Sequence, residues 1–176
     1  MKPILGGITP DHLDAPTPCR EWNVQAVINH NLKVAQFAHA VLTGAEGADP
    51  MSMNAVDGPL PSEGALAAFE AGTNGILEAI KAAGALEKLL DTPFGQMPAG
   101  NFLMLPFGDI VIHKWDLAKA TSQDTSLDSS LAEACYNAML PQIEGARQAG
   151  FFGPEVHVPI NASIQDKLLG LSGRQP

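Results

Sequence analysis

The chain has 176 residues, with 19 acidic and 10 basic side chains and a formal net charge of −9. This charge balance argues against DNA or RNA as a partner, because phosphate binding needs a basic face, and against an anionic membrane surface. The 45% hydrophobic and 16% charged fractions favour a soluble folded protein, and the length predicts a single domain over residues 1–176.

The N-terminal region, residues 1–21, is rich in proline and glycine, so we expect irregular structure with one helical turn near Pro10. Asn23 is a suitable N-cap for a first long helix that ends near Gly44. The apolar positions of this helix recur with a period near 3.6 residues. They are Val24, Val27, Ile28, Val34, Ala35, Ala38, Val41 and Leu42.

Residues 44–61 contain several prolines and glycines and are predicted to form a loop. Ser62 is the expected N-cap of a second helix, which Gly84 ends or bends. A second loop is expected around residues 93–100. The third helix should begin between Asn101 and Pro106 and reach about Thr121; Pro106 is tolerable in a first turn but would kink the helix further in.

Asp128 is the predicted cap of a fourth helix, in which Leu127 packs against Ala132 as a hydrophobic staple and Pro141 introduces a kink. Residues 151–176 form a C-terminal extension. Within it, Val156–Pro159 should be extended and Ser163 should cap a short helix over Ile164–Leu171 that Gly173 stops. These elements predict an all-α fold, a four-helix bundle with a short C-terminal extension.

Asp109 and His113 are four residues apart on the third helix, so both side chains project from one face. That face is otherwise apolar, and buried polar groups without a partner are costly. His30 faces the interior from the first helix. Two imidazoles and one carboxylate form a three-ligand set that suits zinc or a similar divalent ion and leaves an open coordination position.

The same residues allow a simpler interpretation. Asp109 and His113 could pair only with each other, and His30 could be an unrelated core histidine. Asp116 competes as the oxygen ligand, but we expect it to accept a hydrogen bond from a ligand imidazole or to be solvated on the helix surface.

The remaining histidines are predicted not to bind metal: His39 packs or faces solvent, and His12 and His157 are exposed. Two cysteines give no disulfide framework. Cys19 precedes a helix start, where a thiolate can be stabilised, but burial as a small apolar residue is favoured. Cys135 should lie in the core.

Trp22 and Trp115 are predicted packing anchors. Arg20 and Arg147 could recognise a carboxylate on a substrate or could be solvated surface residues. The sequence contains no hydrolase elbow, phosphate-binding loop or dinucleotide fingerprint. It also lacks an apolar run long enough for a membrane span or a signal peptide, so we expect a cytoplasmic protein.

Two separated motifs carry a family resemblance. The segment Thr17–Val24, followed by His30, resembles the "T-P-C-x-x-W-T-V…H" start of the metal-binding domain of mycothiol-dependent maleylpyruvate isomerases. The segment Asp109–Ala118 resembles its second signature, "[D/E]-x3-H-x-W-D-L-A". The tail, from Phe152 to Arg174, resembles an uncharacterised actinobacterial subgroup of metal-binding proteins.

The resemblance implies a DinB-like four-helix bundle whose divalent metal is held by His30, Asp109 and His113. In the isomerase, it further implies, the metal activates the thiol of a low-molecular-weight cofactor, which attacks the substrate. The expected function is therefore metal-dependent thiol transfer or isomerisation of a small electrophile, with mycothiol as co-substrate. There are two alternatives. One is a non-catalytic protein that sequesters metal or ligand, and the other is a helical domain with a vestigial site that packs as a dimer.

The sequence departs from the isomerase pattern in three ways. Asp109 stands where the isomerase has Glu, which would place the metal closer to the third helix. The resemblance does not extend to the isomerase's C-terminal substrate domain, so maleylpyruvate is not implied as the substrate. The segment before the first motif begins with Met1–Ile8, too short for the family's first helix. The fourth helix could take its place, a partner in a homodimer could do so, or the chain is a shortened version.

Overall fold

A computed structural model describes residues 1–46 and 48–176, which form seven α-helices and one antiparallel hairpin. The elements are α1 (Lys2–Gly6), α2 (Val24–Thr43), α3 (Ala65–Ala79), β1 (Leu89–Thr92), β2 (Gly95–Pro98), α4 (Ala99–Ala120), α5 (Ser129–Met139), α6 (Ile143–Gln148) and α7 (Ile164–Leu171). The mostly helical fold is confirmed, whereas the four-helix bundle stays a prediction.

Helix α2 forms as its sequence predicts. The Asn23 side chain accepts a hydrogen bond from the backbone N–H of Ala26 at 2.9 Å, which satisfies one free donor of the first turn. At the other end Gly44 adopts a left-handed conformation with φ of 70°, which glycine reaches without steric cost. The apolar positions of the predicted stripe are buried, with the exception of the partly exposed Leu42.

The N-terminal segment is more ordered than predicted. The expected helical turn is present at Pro10–His12, but residues 2–6 also form the short helix α1. Ile4 and Leu5 are buried in this helix, which packs against α3 and α4. The prediction of irregular structure over 1–21 was therefore wrong at its start, because two consecutive apolar residues have a core to pack into.

The predicted loop near residues 93–100 is instead the hairpin β1–β2, so the all-α prediction missed a small sheet. Thr92 pairs with Gly95, and the turn between the strands holds Pro93 and Phe94. Gly95 has a φ of 103°, which explains the glycine at that position. The buried Leu90 anchors the hairpin on the core, so tertiary packing rather than local propensity stabilises these short strands.

Two predicted helix starts were wrong. Helix α3 begins after Gly64, and the Ser62 hydroxyl donates to Glu63 rather than capping the helix. Helix α4 begins at Ala99, directly after β2, so Pro106 lies in the helix interior rather than in its first turn. Proline has no N–H, so the carbonyl four residues earlier loses its helical partner at this position.

The C-terminal third forms three helices. Asp128 caps α5 as predicted, accepting from the backbone N–H groups of Ser130 and Leu131. Pro141 lies in a break between α5 and α6, so the predicted kink is a full interruption. Helix α7 has the predicted bounds, with its Ser163 cap, and the chain turns at Gly173 with φ of 83°.

Apolar clusters lie around the contact between α2 and α4. One joins α1, α2, α3 and the end of α4, and a second joins the middle of α4 with α5 and α7. A third joins the end of α2 to the hairpin and the start of α4. The contact between α2 and α4 brings together His30 and the polar residues of α4, and α7 covers the neighbouring face.

Candidate metal centre

Three side chains from two helices meet at one point. One ligand atom from each of His30, Asp109 and His113 lies within 4.8 Å of the others. The Nε2 atom of His30 is 3.0 Å from Oδ2 of Asp109, and Nε2 of His113 is 3.6 Å from Oδ1 of the same carboxylate. The carboxylate therefore lies between the two imidazoles, and both rings point the same nitrogen at it.

The first imidazole is fixed from behind by the backbone. Nδ1 of His30 lies 2.8 Å from the carbonyl oxygen of Met53. A carbonyl only accepts, so Nδ1 carries a proton and Nε2 is the nitrogen available to a ligand. Burial alone would lower the pKa of His30, but the Asp109 charge and the hydrogen bonds to Asp109 and Met53 outweigh it and raise that pKa above its usual value.

The second imidazole is fixed by a buried carboxylate. Nδ1 of His113 donates to Oδ2 of Asp116 at 2.9 Å, and Asp116 is fully buried. Arg174 contacts the same carboxylate twice, with Nη2–Oδ2 at 2.8 Å and Nε–Oδ1 at 3.3 Å. Burial alone would raise the pKa of Asp116, but the hydrogen bonds and charges of His113 and Arg174 outweigh it and lower that pKa.

The Asp109 carboxylate is the most accessible of the three groups, with its side chain 26% exposed against 8% for His30 and 5% for His113. Burial works to raise its pKa, but the charges of His113 and His30 and the hydrogen bond from His30 lower it to about 2. Asp109 is therefore ionised throughout the physiological range. A small ligand would approach the centre from the Asp109 side.

One aromatic ring covers both imidazoles. The Trp22 ring lies 4.6 Å from the His30 ring and 5.7 Å from the His113 ring, centroid to centroid. The Thr17 hydroxyl donates to the carbonyl of Trp22 at 2.7 Å and holds the turn from which the indole projects. The first sequence motif thus supplies both an imidazole and the aromatic cover over the pair.

Comparison with known proteins identifies a family. The family model described as the mycothiol maleylpyruvate isomerase N-terminal domain matches residues 2–118. This chain belongs to that family.

The family match covers α1 to α3, α4 except its last two residues, and every residue of the triad. Uncharacterized proteins from two strains of Mycobacterium tuberculosis, CDC 1551 / Oshkosh and ATCC 25618 / H37Rv, are each 30% identical over 175 residues. That alignment covers 97% of this chain and 90% of each relative. No solved structure matches significantly. In the part of the chain described, no helix combines the length and apolar character needed to cross a membrane.

The other histidines of this family member lie outside the cluster. His12 accepts a hydrogen bond from the backbone N–H of Thr9, His39 packs on Gly75, and His157 is exposed. The prediction that His12 is exposed was wrong, because the 3-10 turn partly buries its side chain.

The two cysteines behave as ordinary thiols. Cys135 is fully buried, as predicted. Cys19 is only partly buried, yet its burial raises its pKa to about 11, with Asp116 and Asp109 adding to the rise and Arg174 opposing it. Cys19 was predicted to be buried as a small apolar residue, and the structure buries it only in part.

The predicted anchors and arginines separate into different roles. Trp115 is buried beneath the Lys119 ammonium, which lies 4.5 Å from its ring. Arg20 is exposed. Arg147 is neither solvated nor free for a substrate, because its guanidinium donates to the carbonyl oxygens of Leu171 and Gly153.

Sequence reasoning missed three contributors to the centre. The Met53 carbonyl leaves no signal, because any residue offers a backbone oxygen. Trp22 was predicted to anchor a helix rather than to cover the imidazoles. Arg174 had a signal that could have found it, because Asp116 on an apolar helix face needs a cationic partner.

Proposed function

We propose that the protein binds one divalent cation through Nε2 of His30, the carboxylate of Asp109 and Nε2 of His113. Zinc is the proposed ion, with nickel as the alternative. The observation that carries the proposal is the convergence of these three donors, with both Nδ1 atoms tied to acceptors so that both Nε2 atoms face the carboxylate.

The donor set fits such an ion. Zinc binds nitrogen and carboxylate oxygen at about 2.0–2.2 Å, so donors in a tetrahedral site lie about 3.3 Å apart. The two nitrogen–oxygen separations here are 3.0 and 3.6 Å, to different oxygens of Asp109, and one donor atom from each residue lies within 4.8 Å of the others. Side-chain rotation that draws the donors together on binding is therefore part of the proposal. Two imidazoles and a carboxylate are typical of a catalytic site, which keeps a coordination position for water or substrate. A cation bound there would act as a Lewis acid on a thiol or water at that position.

We further propose that the reaction is transfer of a small thiol to a small electrophile, or thiol-assisted isomerisation of one. Mycothiol is the proposed thiol, and this rests on membership of the isomerase family. In this scheme Met53 and Asp116 hold the imidazoles in place. Trp22 keeps water from their ring faces, and Asp109 faces the side from which reactants arrive.

The alternative is sequestration without turnover, and one observation favours it. Asp116 and Arg174 are hydrogen-bonded to each other, and Cys19 remains a protonated thiol at neutral pH. None of these three neighbours is therefore arranged to move a proton to or from a substrate. An enzyme of this design would depend on its thiol co-substrate for the nucleophile.

Elemental analysis of protein purified without an affinity tag tests the metal proposal. We expect about one equivalent of zinc in the parent and a loss of more than about 100-fold in affinity for His30→Ala and His113→Ala, since even outer hydrogen-bond partners are worth 10–100-fold. His39→Ala, on the same helix α2 but outside the cluster, is the matched control. Equal metal content in the parent and both triad variants would overturn the assignment.

A second experiment separates catalysis from sequestration. Thiol consumption is followed for the zinc-loaded and the metal-free protein across a panel of small electrophiles, with mycothiol and other low-molecular-weight thiols. Metal-dependent turnover that His113→Ala abolishes supports the enzyme. Stoichiometric binding of thiol without turnover by any member of the panel supports sequestration.

A further inference from the structure

The chain beyond the region that matches the family model contributes directly to the candidate centre. The match ends at residue 118, whereas Arg174 lies three residues after helix α7. Its side chain is only 10% exposed and makes both contacts with the fully buried Asp116. A third contact, from Nη1 to the carbonyl of Ser172 at 2.8 Å, fixes the plane of the guanidinium.

A single carboxylate oxygen joins this arginine to the triad. Oδ2 of Asp116 accepts from Nη2 of Arg174 at 2.8 Å and from Nδ1 of His113 at 2.9 Å. A buried carboxylate needs compensating partners, and a bidentate guanidinium also fixes its orientation. With the carboxylate held in this way, Nδ1 of His113 stays the donor and Nε2 stays directed at Asp109.

The backbone around Arg174 is shaped to deliver its side chain. Gly173 has a φ of 83°, and a Cβ there would lie 3.0 Å from the carbonyl oxygen of Pro154. A Cβ on Gly170 would clash with the carbonyl oxygen of Val156, whose own N–H donates to Gly170 at 3.0 Å. The end of α7 therefore packs closely against residues 153–156, and the turn that follows directs the Arg174 side chain towards α4.

We propose that Arg174 is a positioning residue of the metal centre: by holding Asp116, it fixes the acceptor of the His113 Nδ1–H group and so keeps Nε2 directed into the triad. The C-terminal segment is then part of the centre rather than an appendage. The metal-affinity part of this inference rests on the proposed function, whereas the hydrogen bond from His113 Nδ1 to Asp116 can be measured without any metal.

The first measurement is the 15N chemical shifts of the His113 ring in metal-free protein. In the parent we expect a protonated Nδ1 that is hydrogen-bonded to Asp116. In Arg174→Met the Asp116 carboxylate is no longer fixed by two contacts, so we expect the signal of the His113 Nδ1–H group to shift and broaden. Arg174→Lys, which keeps the charge but cannot make both contacts, should give an intermediate signal.

Arg147→Met is the matched control. Arg147 also holds the C-terminal segment, through Leu171 and Gly153, but it makes no recorded contact with Asp116 or His113 among the described residues. If Arg174 acted only by keeping α7 in place, Arg147→Met would change the His113 ring in the same way. We expect it to lower stability and to leave the ring signals of the parent unchanged.

The second measurement is zinc affinity by competition with a chromophoric chelator. We expect a loss of about 10- to 100-fold for Arg174→Met, partial recovery in Arg174→Lys and less than about twofold change in Arg147→Met. If the parent binds no zinc but the His113 ring changes in Arg174→Met, the positioning role stands and the metal proposal fails. Parent-like ring signals in Arg174→Met would overturn the inference. Should that variant not fold, parent-like signals and full affinity in Arg174→Lys would overturn it equally.

Discussion

The Nδ1 atom of His30 donates to the carbonyl oxygen of Met53 across 2.8 Å, while the other ring nitrogen lies 3.0 Å from the Asp109 carboxylate. Both partners are acceptors, so in the absence of a cation this ring is favoured with a proton on each nitrogen. A divalent cation and that second proton would compete for the same lone pair of Nε2.

Zinc affinity should therefore fall as the pH is lowered. The pKa of His30 lies above its usual value of 6.5, so at any pH below that raised pKa the metal must displace a proton. Below that pKa we expect affinity to fall about tenfold per pH unit for each proton displaced. Calorimetry in buffers of different ionisation enthalpy measures the released proton, and an affinity that stays constant between pH 6 and 8 would contradict the prediction.

The metal-free protein should show the opposite trend in stability. The raised pKa of His30 stabilises the fold below about pH 6.5, and this contribution is lost as the pH rises through the folded-state pKa. The lowered pKa of Asp109 stabilises it above about pH 3.8, and this is lost as the pH falls towards 2. Asp109→Asn should therefore lower the free energy of unfolding more at pH 5 than at pH 9.

Urea unfolding at the two pH values measures this difference. The exposed Asp14, replaced by Asn, is the control and should show no comparable pH dependence. An Asp109→Asn variant that loses the same stability at pH 5 and pH 9 would contradict the pairing with His30.

Zinc should raise the melting temperature of the parent. A ligand at 100 times its dissociation constant stabilises the folded state by about 2.7 kcal/mol, which corresponds to about 5–11 °C for a chain of this size. A chelator should reverse the shift. The same shift in His113→Ala would mean that zinc binds elsewhere.

Asn23→Ala should destabilise the protein, because it removes the side-chain acceptor for the Ala26 N–H at the start of α2. We expect a loss of about 1 kcal/mol, or about 2–4 °C in melting temperature. Asn23→Asp keeps an acceptor in the same place and should retain most of the stability. Equal losses in the two variants would show that the cap bond is not the cause.

Cys19 should react slowly with alkylating reagents at neutral pH. Its pKa is raised to about 11, and the thiolate is the reactive species. The rate of iodoacetamide labelling at pH 7.5 should be well below that of the same thiol in urea-unfolded protein. Labelling of folded Cys19 as fast as in the unfolded chain would instead indicate an activated nucleophile.

The sequence predicted the parts of the fold that local chemistry determines. Asn23, Asp128 and Ser163 cap the helices that they were expected to cap, because each cap depends on a side chain and the backbone two or three residues later. The hairpin and the start of α3 were missed. Residues such as Leu90 form a strand because they pack on the core, and the local sequence pattern does not indicate this tertiary contact.

The convergence of the three site residues was expected because two helical faces each carried polar groups among apolar neighbours. Their role as metal ligands remains a prediction. The surroundings were harder to predict, since the Met53 carbonyl has no side-chain signature. Asp116 on an apolar face indicates a cationic partner but not which one, and Arg174 is 58 residues away. Long-range pairs of this kind are set by how helices pack, which depends on the whole chain.

The position of one indole beside both imidazoles has an optical consequence. Protonated imidazole quenches indole fluorescence, and the Trp22 ring lies 4.6 Å from the ring of His30, whose second proton a bound cation would displace. The second indole, in Trp115, contacts Lys119 instead, so Trp115→Phe would leave a single emitter. The fluorescence of Trp22 would then report in real time whether a cation occupies the centre, without any added dye.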